Sequence, residues 1–307
     1  MKEWIRIVAL LLFLSGCNQD GEKRLEDKPD AGTIHMSIDE SFRPAMEEQI
    51  HLFELTNPRA NLVATYKPES DCFRDFFKDS NNRMIVVSRG LSRKEEKFMM
   101  DSLGYNPACQ PIAYDAVAII VNKQQQDTLF TLDILKQLLQ GKLKEKTAVF
   151  DGLKATSTVR FIRDSILKGD DFDLNAVRAA KSSKEVIEYV ASNANAVGFI
   201  GFSWIGNPED SVQTNELKKV KLAYVRCDQC EQQPFVKPFQ QNLLTRRYPL
   251  VRTLYYILKE NYSGLGTGFT SYLKFERGQL VFRRAYLGPV MDLDIRAVKI
   301  NERIPSK

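Results

Sequence analysis

The stretch FDGLKATSTVRFIRDSI, residues 150–166, places three consecutive hydroxyl side chains directly before a helical pattern. These residues are Thr156, Ser157 and Thr158, and the apolar residues after them recur at helical spacing up to a predicted stop at Gly169. Hydroxyl side chains at a helix start normally cap the first free N–H groups. The same position can bind an anion, because those groups and the positive end of the helix dipole point outward. Taken alone, the stretch favours a cap, and an anion site requires other segments that converge on it.

Strands and helices alternate on both sides of this stretch, which predicts an α/β protein. The predicted strands are residues 32–38, 60–66, 83–88, 115–121, 196–202 and 221–226. The predicted helices are residues 42–53, 71–77, 92–104, 131–139, 182–190, 249–261 and 267–275. Residues 115–121, DAVAIIV, are almost continuously apolar, as expected for a parallel strand covered on both faces. Ligands of open α/β sheets bind beyond the carboxyl ends of the strands, where several loop hydroxyls would meet.

The N-terminus carries the pattern of an export signal. Basic residues precede the apolar run 7–14, which is too short to span a bilayer and leads into LSGC, ending at Cys17. A small-residue pair before a cysteine resembles the lipobox of bacterial lipoproteins, in which the signal is cleaved and the cysteine carries a lipid. The resemblance implies a signal peptide over 1–17, a lipid on Cys17 and a flexible tether over 18–31. The mature protein would lie on the periplasmic or cell-surface side of a bacterial membrane. An ordinary signal peptide with a chance cysteine is the alternative.

Composition and charge argue against several classes of protein. The chain has 307 residues, 43% of them hydrophobic and 27% charged, which suits a globular protein large enough for two lobes. Its formal net charge of +5 is spread along the chain, so no concentrated basic surface for nucleic acid is expected. A small anionic ligand or a membrane surface fits better. With two histidines, His35 and His51, a His-rich metal site is not expected.

Four cysteines follow the predicted signal, at Cys72, Cys109, Cys227 and Cys230. An even number is compatible with disulfides in an oxidising compartment. CDQC, from Cys227 to Cys230, has redox or zinc-ligand spacing, but no second cysteine or histidine pair accompanies it. We therefore favour a local disulfide or a pair of structural thiols over a thioredoxin-like site.

Four further segments carry a family pattern. They are YPLVRTLYYILK (248–259), FTSYLKFERGQLVFRRAYLGPV (269–290), NAVGFIGF (195–202) and AYDAVAIIVN (113–122). Together they resemble the phosphate-binding component of bacterial ABC transporters, a periplasmic type II solute-binding protein. The resemblance implies two lobes that are joined by two hinge crossings and close on an anion. Lobe 1 would contain residues 32–120 and 235–307, and lobe 2 residues 121–234.

The resemblance also implies a set of ligand-binding residues that combines loop hydroxyls, backbone amides and a cation. In chain order they are Ser41, Phe42, Ser70, Ser88, Arg89, Thr156, Ser157 and Thr158. Ser157 stands where the family has the glycine of an S-G-T cradle, which narrows the permitted backbone conformations but keeps the N–H donor.

Two departures from the family pattern affect the expected specificity. Arg89 stands where the family has an Asp that accepts the proton of a protonated phosphate, and Phe150 and Asp151 occupy the region of a family Arg. One guanidinium can replace another from a different loop. The lost Asp, however, removes the visible means of rejecting a fully ionised anion such as sulfate. We therefore expect oxyanion binding, with phosphate as the first candidate and without strict specificity.

These features imply a monomeric binding protein that is not an enzyme, needs no cofactor and binds no nucleic acid. Its expected partners are phosphate or a similar oxyanion and an ABC permease in the membrane. An oxyanion sensor or an accessory surface lipoprotein with the same fold is the first alternative. A thiol-disulfide enzyme that uses Cys227 and Cys230 is the second.

Overall fold

The fold is described from a computed structural model, which covers residues 27–152 and 156–291. The predicted signal peptide, Cys17 and most of the predicted tether lie outside these residues. Among the helices that the structure describes, none is long and apolar enough to cross a membrane.

The described residues form strands and helices in alternation, as predicted. The strands are β1 (Ala31–Asp39), β2 (Arg59–Lys67), β3 (Asn82–Val87), β4 (Ala108–Asn122), β5 (Leu129–Phe130), β6 (Thr147–Phe150), β7 (Val177–Ala179), β8 (Ala196–Gly201), β9 (Val220–Leu222), β10 (Tyr224–Arg226), β11 (Phe235–Val236), β12 (Val251–Leu258) and β13 (Gly288–Pro289). The helices are α1 (Arg43–Thr56), α2 (Glu69–Lys78), α3 (Arg93–Leu103), α4 (Leu132–Leu139), α5 (Ser157–Ile162), α6 (Ser183–Ser192), α7 (Ser211–Leu217), α8 (Gln240–Leu244), α9 (Leu265–Lys274) and α10 (Glu276–Arg284).

Ten of these strands form one sheet in the order β2-β1-β3-β12-β4-β8-β6-β7, with β9 and β13 also paired to β4. In the first half, β2, β1 and β3 are parallel and β12 is antiparallel to β3. In the second half, β8, β6 and β7 are parallel to one another, and β8 is antiparallel to β4. The strands β11, β10 and β5 form a separate small sheet.

Strand β4 joins the two halves of the sheet. Its residues 108–116 pair with β12, whereas residues 117–122 pair with β8 and β9. The chain therefore passes from one half to the other within β4, close to the lobe boundary predicted near residue 120. The predicted lobe limits themselves stay predictions.

Local capping signals correctly located several helix ends. Ser92 and Glu95 form a reciprocal capping box at the start of α3, and Gly104 ends this helix with φ 78°. The Thr156 side chain accepts a hydrogen bond from Val159 N, which confirms the predicted cap of α5. Helix α5 continues into one π-helical turn, Arg163–Leu167, which ends two positions before the predicted stop at Gly169.

The prediction of a helix over residues 249–261 is wrong, because this segment contains β12. Burial alternates along its first part, with Arg252, Leu254 and Tyr256 buried and the residues between them partly exposed. Its tyrosines and β-branched residues suit a half-buried pleated surface. Leucines spaced four apart suggest a helix face, but pairing with β3 and β4 decides the conformation.

Two further strand predictions need correction. Strand β4 is buried along residues 112–122 as expected, yet its pairing with β12 and β8 is antiparallel rather than parallel. Burial on both faces also occurs in an antiparallel strand at the centre of a sheet, so the apolar run does not determine direction. The strand predicted over 221–226 is divided into β9 and β10, which pair with different partners.

The predicted local disulfide is present between Cys227 and Cys230. Cys72 and Cys109 are free thiols, the first buried and the second partly buried. Cys72 packs in a small apolar cluster between α2, α3 and the first half of the sheet.

The sheet brings several strand ends to one place. The loops after β1 and β3 come from the first half, and those after β6 and β8 come from the second half. Contacts join the turn after β1 to the turn after β8 and to the start of α5. This junction is where open α/β sheets bind ligands.

Candidate functional site

A buried ion pair between β12 and β4 lies at the centre of the junction. Arg252 and Asp115 are directly paired residues of these strands, and their side chains are 1% and 0% exposed. Asp115 Oδ2 accepts hydrogen bonds from Nε and Nη2 of Arg252 at 3.1 and 2.8 Å. The guanidinium carbon lies 4.5 Å from the ring centroid of Phe42. These partners are needed because a buried charge without a counter-charge is strongly destabilising.

The remaining edge of this guanidinium faces three hydroxyl groups, those of Ser41, Ser157 and Thr158, which we call the hydroxyl cluster. Arg252 Nη1 donates to Ser157 Oγ at 2.9 Å and to Thr158 Oγ1 at 3.5 Å. Ser157 Oγ in turn lies 3.0 Å from Ser41 Oγ. All three residues are 0% exposed. The cluster therefore joins the turn after β1 to the first residues of α5, beside a fixed positive charge.

Close backbone approach makes this arrangement possible. The hydroxyl of Ser203, just after β8, donates to the backbone oxygen of Ser41 at 2.8 Å. A Cβ atom on Gly201 would lie 2.7 Å from that same oxygen and 2.9 Å from Arg252 Nη2. Glycine is thus required at the end of β8, where the backbone of another segment approaches closely.

Two carboxylates flank the hydroxyl cluster, Asp39 on one side and Asp151 on the other. Asp39 Oδ1 accepts hydrogen bonds from the backbone N and Oγ of Ser41 at 3.1 and 2.8 Å. Asp151 Oδ2 accepts one from Thr158 Oγ1 at 3.5 Å. The other oxygens, Asp39 Oδ2 and Asp151 Oδ1, are buried and have no hydrogen-bond partner within residues 27–152 and 156–291. Burial raises the pKa of Asp39 to about 7, with the charge of Glu69 adding to the rise, and burial also raises the pKa of Asp151.

A second ion pair, between Arg160 and Glu69, spans the two halves of the sheet. Arg160 lies on α5, and its Nε donates to Glu69 Oε2 at 2.7 Å while its Nη2 donates to Ser88 Oγ at 2.7 Å. Ser88, just after β3, donates its backbone N–H and its hydroxyl to Glu69 Oε1 at 2.9 and 2.8 Å. Burial opposes ionisation of Glu69, but Arg160 and Ser88 hold its pKa below the ordinary value.

A third contact between the halves is made by Glu40 in the turn after β1. Its carboxylate accepts hydrogen bonds from the hydroxyl and the backbone N–H of Ser183, at the start of α6, at 3.0 and 3.4 Å. Burial raises the pKa of Glu40 to about 7, and the charge of Asp151 adds to the rise. The junction thus contains more buried carboxylates than guanidinium groups among the residues described.

The structure brings most of the predicted ligand residues together. Ser41, Ser157 and Thr158 form the hydroxyl cluster, Phe42 packs against the Arg252 guanidinium, and Thr156 caps α5. Ser88 is close to the junction but is held by Glu69 and Arg160.

Two predicted ligand residues stand apart from the hydroxyl cluster. Ser70 is exposed in the first turn of α2. Arg89 makes a bidentate pair with Glu95, at 2.7 and 2.8 Å, and its guanidinium carbon lies 3.7 Å from the Phe73 ring centroid. No contact of Arg89 with the hydroxyl cluster occurs among the described residues, so its role as a ligand stays a prediction.

Sequence reasoning missed four charged residues of the site, Arg252, Asp115, Glu69 and Arg160. Arg252 lies inside the quoted segment YPLVRTLYYILK, but the assignment of this segment to a helix conceals its pairing with Asp115. Asp39 and Asp151 are acids near the predicted cleft, and no local pattern marks them as part of a site. Glu69 could have been found from its position directly before Ser70, which was predicted as a ligand. Arg160 could have been found from its position two residues after Thr158, the last of the three predicted hydroxyl ligands.

Comparison with known proteins agrees with this architecture. A family model described as "PBP superfamily domain" matches residues 26–275. A "Phosphate-binding protein PstS" from Pseudomonas aeruginosa is 30% identical over 190 residues, covering 55% of this chain and 54% of the relative. The chain therefore spans about half the length of the curated relative that it matches.

Solved structures show the same fold at lower identity. A phosphate ABC transporter substrate-binding protein with bound phosphate from Clostridium perfringens superposes with a TM-score of 0.69 at 22% identity, covering 85% of this chain and all of that one. An ABC-type phosphate transport receptor from Vibrio cholerae gives a TM-score of 0.60 at 18% identity, covering 83% and 99%. These similarities confirm the predicted α/β fold of the type II periplasmic binding proteins. Because the family match extends over most of the chain, this protein belongs to the PBP superfamily.

Proposed function

We propose that this chain is an extracytoplasmic binding protein that captures inorganic phosphate, or a closely similar oxyanion, and delivers it to an ABC permease. The relative from Pseudomonas aeruginosa is named as a phosphate-binding protein, and the two structural neighbours are described as parts of phosphate transport systems. Their names support the choice of ligand, and the buried donors of this chain support it independently.

The observation that carries the proposal is the buried Arg252 guanidinium held against the hydroxyl cluster. Arg252 Nη1, Ser157 Oγ and Ser41 Oγ follow one another at 2.9 and 3.0 Å. Hydroxyl groups held beside a guanidinium suit the oxygens of a tetrahedral anion. Burial strengthens such interactions because the local dielectric is low.

Anion entry requires the two halves to separate. Ser41 and Ser157 belong to different halves and contact each other directly. An anion oxygen bonded to both hydroxyls would hold them further apart than a single hydrogen bond does. The halves would open for the anion and close on it, in the manner of a hinge. The contacts of Arg160 with Glu69 would then break and form again in each cycle.

Binding and release complete the proposed cycle, and no covalent bond is made or broken. A lipid on Cys17 would keep the monomer beside the permease. Mass spectrometry of the mature protein tests this part: the lipid mass should be found on Cys17 and be lost in Cys17→Ala.

Calorimetric titration with phosphate and with sulfate tests the proposed ligand. We expect one phosphate per chain, and binding to neither anion would refute the proposal. Phosphate uptake by cells that lack this protein separates delivery from sensing. Reduced uptake supports delivery, whereas unchanged uptake with an altered phosphate response supports the sensor alternative.

A further inference from the structure

The carboxylate of Glu69 is held by hydrogen-bond donors in the way that a free oxyanion would be held. Its Oε1 accepts from the backbone N–H and the hydroxyl of Ser88 at 2.9 and 2.8 Å, and from Arg160 Nη2 at 3.3 Å. Its Oε2 accepts from Arg160 Nε at 2.7 Å. Two nitrogens of one guanidinium thus contact both carboxylate oxygens, and the same geometry suits two oxygens of a phosphate.

The Glu69 carboxylate is a buried anion. Its side chain is 4% exposed. Burial raises the pKa of Glu69, but the hydrogen bonds from Arg160 and Ser88 lower it below the ordinary value, so the group is charged at neutral pH. These donors therefore already hold a negative charge when no phosphate is bound.

This carboxylate lies beside the proposed oxyanion site. Arg160 belongs to α5, the helix whose first residues supply two of the three hydroxyls of the cluster. The charge of Glu69 helps to raise the pKa of Asp39, whose carboxylate accepts a hydrogen bond from Ser41 of the same cluster. A phosphate ion at the hydroxyl cluster would therefore meet the charge of Glu69 and find Arg160 and Ser88 already engaged.

We propose that Glu69 is an internal ligand that competes with phosphate, so that the incoming anion displaces its carboxylate and takes over the donors of Ser88 and Arg160. This inference rests on the proposed function and describes how the affinity of that site is limited. Ser88 and Glu69 belong to the same half of the sheet, so separation of the halves breaks only the contacts with Arg160. The anion itself must break the contacts with Ser88.

Displacement of the carboxylate requires little rearrangement. Glu69 is the first residue of α2, and rotation of its side chain moves the carboxylate while the helix stays intact. When phosphate leaves, the returning carboxylate gives the Arg160 guanidinium a counter-charge again. An internal ligand of this kind lowers the affinity for phosphate and favours its release.

Removal of the carboxylate distinguishes a competitor from a positioning residue. If Glu69 competes, Glu69→Ala should bind phosphate at least about tenfold more tightly than the wild type in calorimetric titrations, because hydrogen bonds to a charged group no longer have to be broken. Glu69→Gln lacks the charge and should also bind phosphate more tightly. If Glu69 instead positions Ser88 and Arg160, both variants should bind phosphate more weakly.

Asp71→Ala is the matched control for these variants. Asp71 is an acid in the same turn of α2, and it pairs with Arg74, whose side chain is 55% exposed. Its removal changes the net charge by the same amount without freeing a donor at the site. The affinity of Asp71→Ala for phosphate should therefore equal that of the wild type.

Added formate gives a second readout, because it returns a carboxylate to the donors that Glu69→Ala leaves free. Formate should weaken phosphate binding in Glu69→Ala and reverse part of the gain that the substitution produced. It should leave the affinity of the wild type and of Asp71→Ala unchanged. Sodium chloride at equal ionic strength serves as the reference, so that charge screening is the same in both titrations.

Thermal unfolding without anion shows whether the variants fold. Arg160 Nη1 lies 3.6 Å from Asp164, and the Arg160 side chain is 28% exposed, so we expect Glu69→Ala to fold. Glu69→Gln keeps the volume of the side chain and replaces Glu69→Ala in the titrations if the latter does not fold.

The titrations separate the two proposals. If the wild type binds phosphate and the folded variant binds it no more tightly, or if formate acts equally on both, the competition inference fails and phosphate capture stands. If the variant binds phosphate and the wild type does not, competition stands and capture by the wild type fails. If neither protein binds phosphate, both proposals fail.

Discussion

Replacing Arg252 by methionine should separate two tasks of the buried ion pair, stabilising the sheet and binding an anion. Methionine fills part of the space but leaves Asp115, which is 0% exposed, without its cation. Breaking a buried pair from one side costs about 3–5 kcal/mol. Burial already raises the pKa of Asp115, so this group can take up a proton and limit the loss. We therefore expect the free energy of unfolding to fall by about 3 kcal/mol, the lower end of that range.

The double variant Arg252→Met, Asp115→Leu distinguishes the two tasks. It removes both charges together, and apolar replacement of a buried pair is often neutral for stability. Urea unfolding should therefore show that most of the lost free energy is recovered. Phosphate affinity should stay reduced by at least about tenfold, because the guanidinium that contacts Ser157 is still absent. Calorimetric titration of the wild type and both variants measures this second effect.

An exposed ion pair supplies the control for this experiment. Arg59 and Asp30 are 2.9 Å apart, and their side chains are 64% and 53% exposed. Arg59→Met should cost less than about 1 kcal/mol and leave phosphate binding unchanged. A double variant at Arg252 and Asp115 that binds phosphate as tightly as the wild type would show that Arg252 is a structural residue and not a ligand.

Three other predictions concern the surroundings of the site. In titrations, Arg160→Ala should weaken phosphate binding more than Arg89→Ala, because Arg160 donates a hydrogen bond to Ser88 beside the site. The reverse order would assign the contact with the anion to Arg89. Burial raises the pKa of Glu40 from 4.5 to about 7, so its neutral form stabilises the fold and this contribution is lost as pH rises through that range. The free energy of unfolding should therefore be lower at pH 8 than at pH 5, and Glu40→Gln should reduce this difference. An equal difference in the variant would contradict the assignment to Glu40. Gly201→Ala should lower the free energy of unfolding in urea by about 1–3 kcal/mol. Gly90→Ala is the control and should be tolerated, because its added Cβ would lie 3.4 Å from the nearest atom. Equal losses of stability in the two variants would argue against the close approach at β8.

Short-range signals in the sequence located the elements that depend on neighbouring residues. The capping box of Ser92 and Glu95 and the cap at Thr156 form within one turn of helix, so the sequence pattern contains all that is needed. The hydroxyls of Thr156 to Thr158 were for this reason placed correctly at a helix start. Their convergence with Ser41, 116 positions away in the chain from Ser157, needed the family resemblance.

Long-range pairing explains what was missed. Residues 251–258 contain apolar positions that satisfy both a helical and an extended pattern, and only the neighbouring strands β3 and β4 select the extended one. The wrong element concealed Arg252, since its partner Asp115 lies 137 positions away in the sequence. Buried charges are generally hard to predict in this way, because their sequence neighbours do not reveal their counter-charges.

The two departures from the family pattern therefore do not mean that the site lacks a guanidinium or an acid, because other segments of the chain can provide them. A missing guanidinium before the cradle and a missing acid after β3 suggested a site with altered specificity. At the proposed site, guanidinium groups come instead from β12 and α5, at Arg252 and Arg160, and acids come from the end of β1 and the residue after β6, at Asp39 and Asp151. Recognition of an oxyanion depends on where donors and acceptors converge and not on which loop provides them.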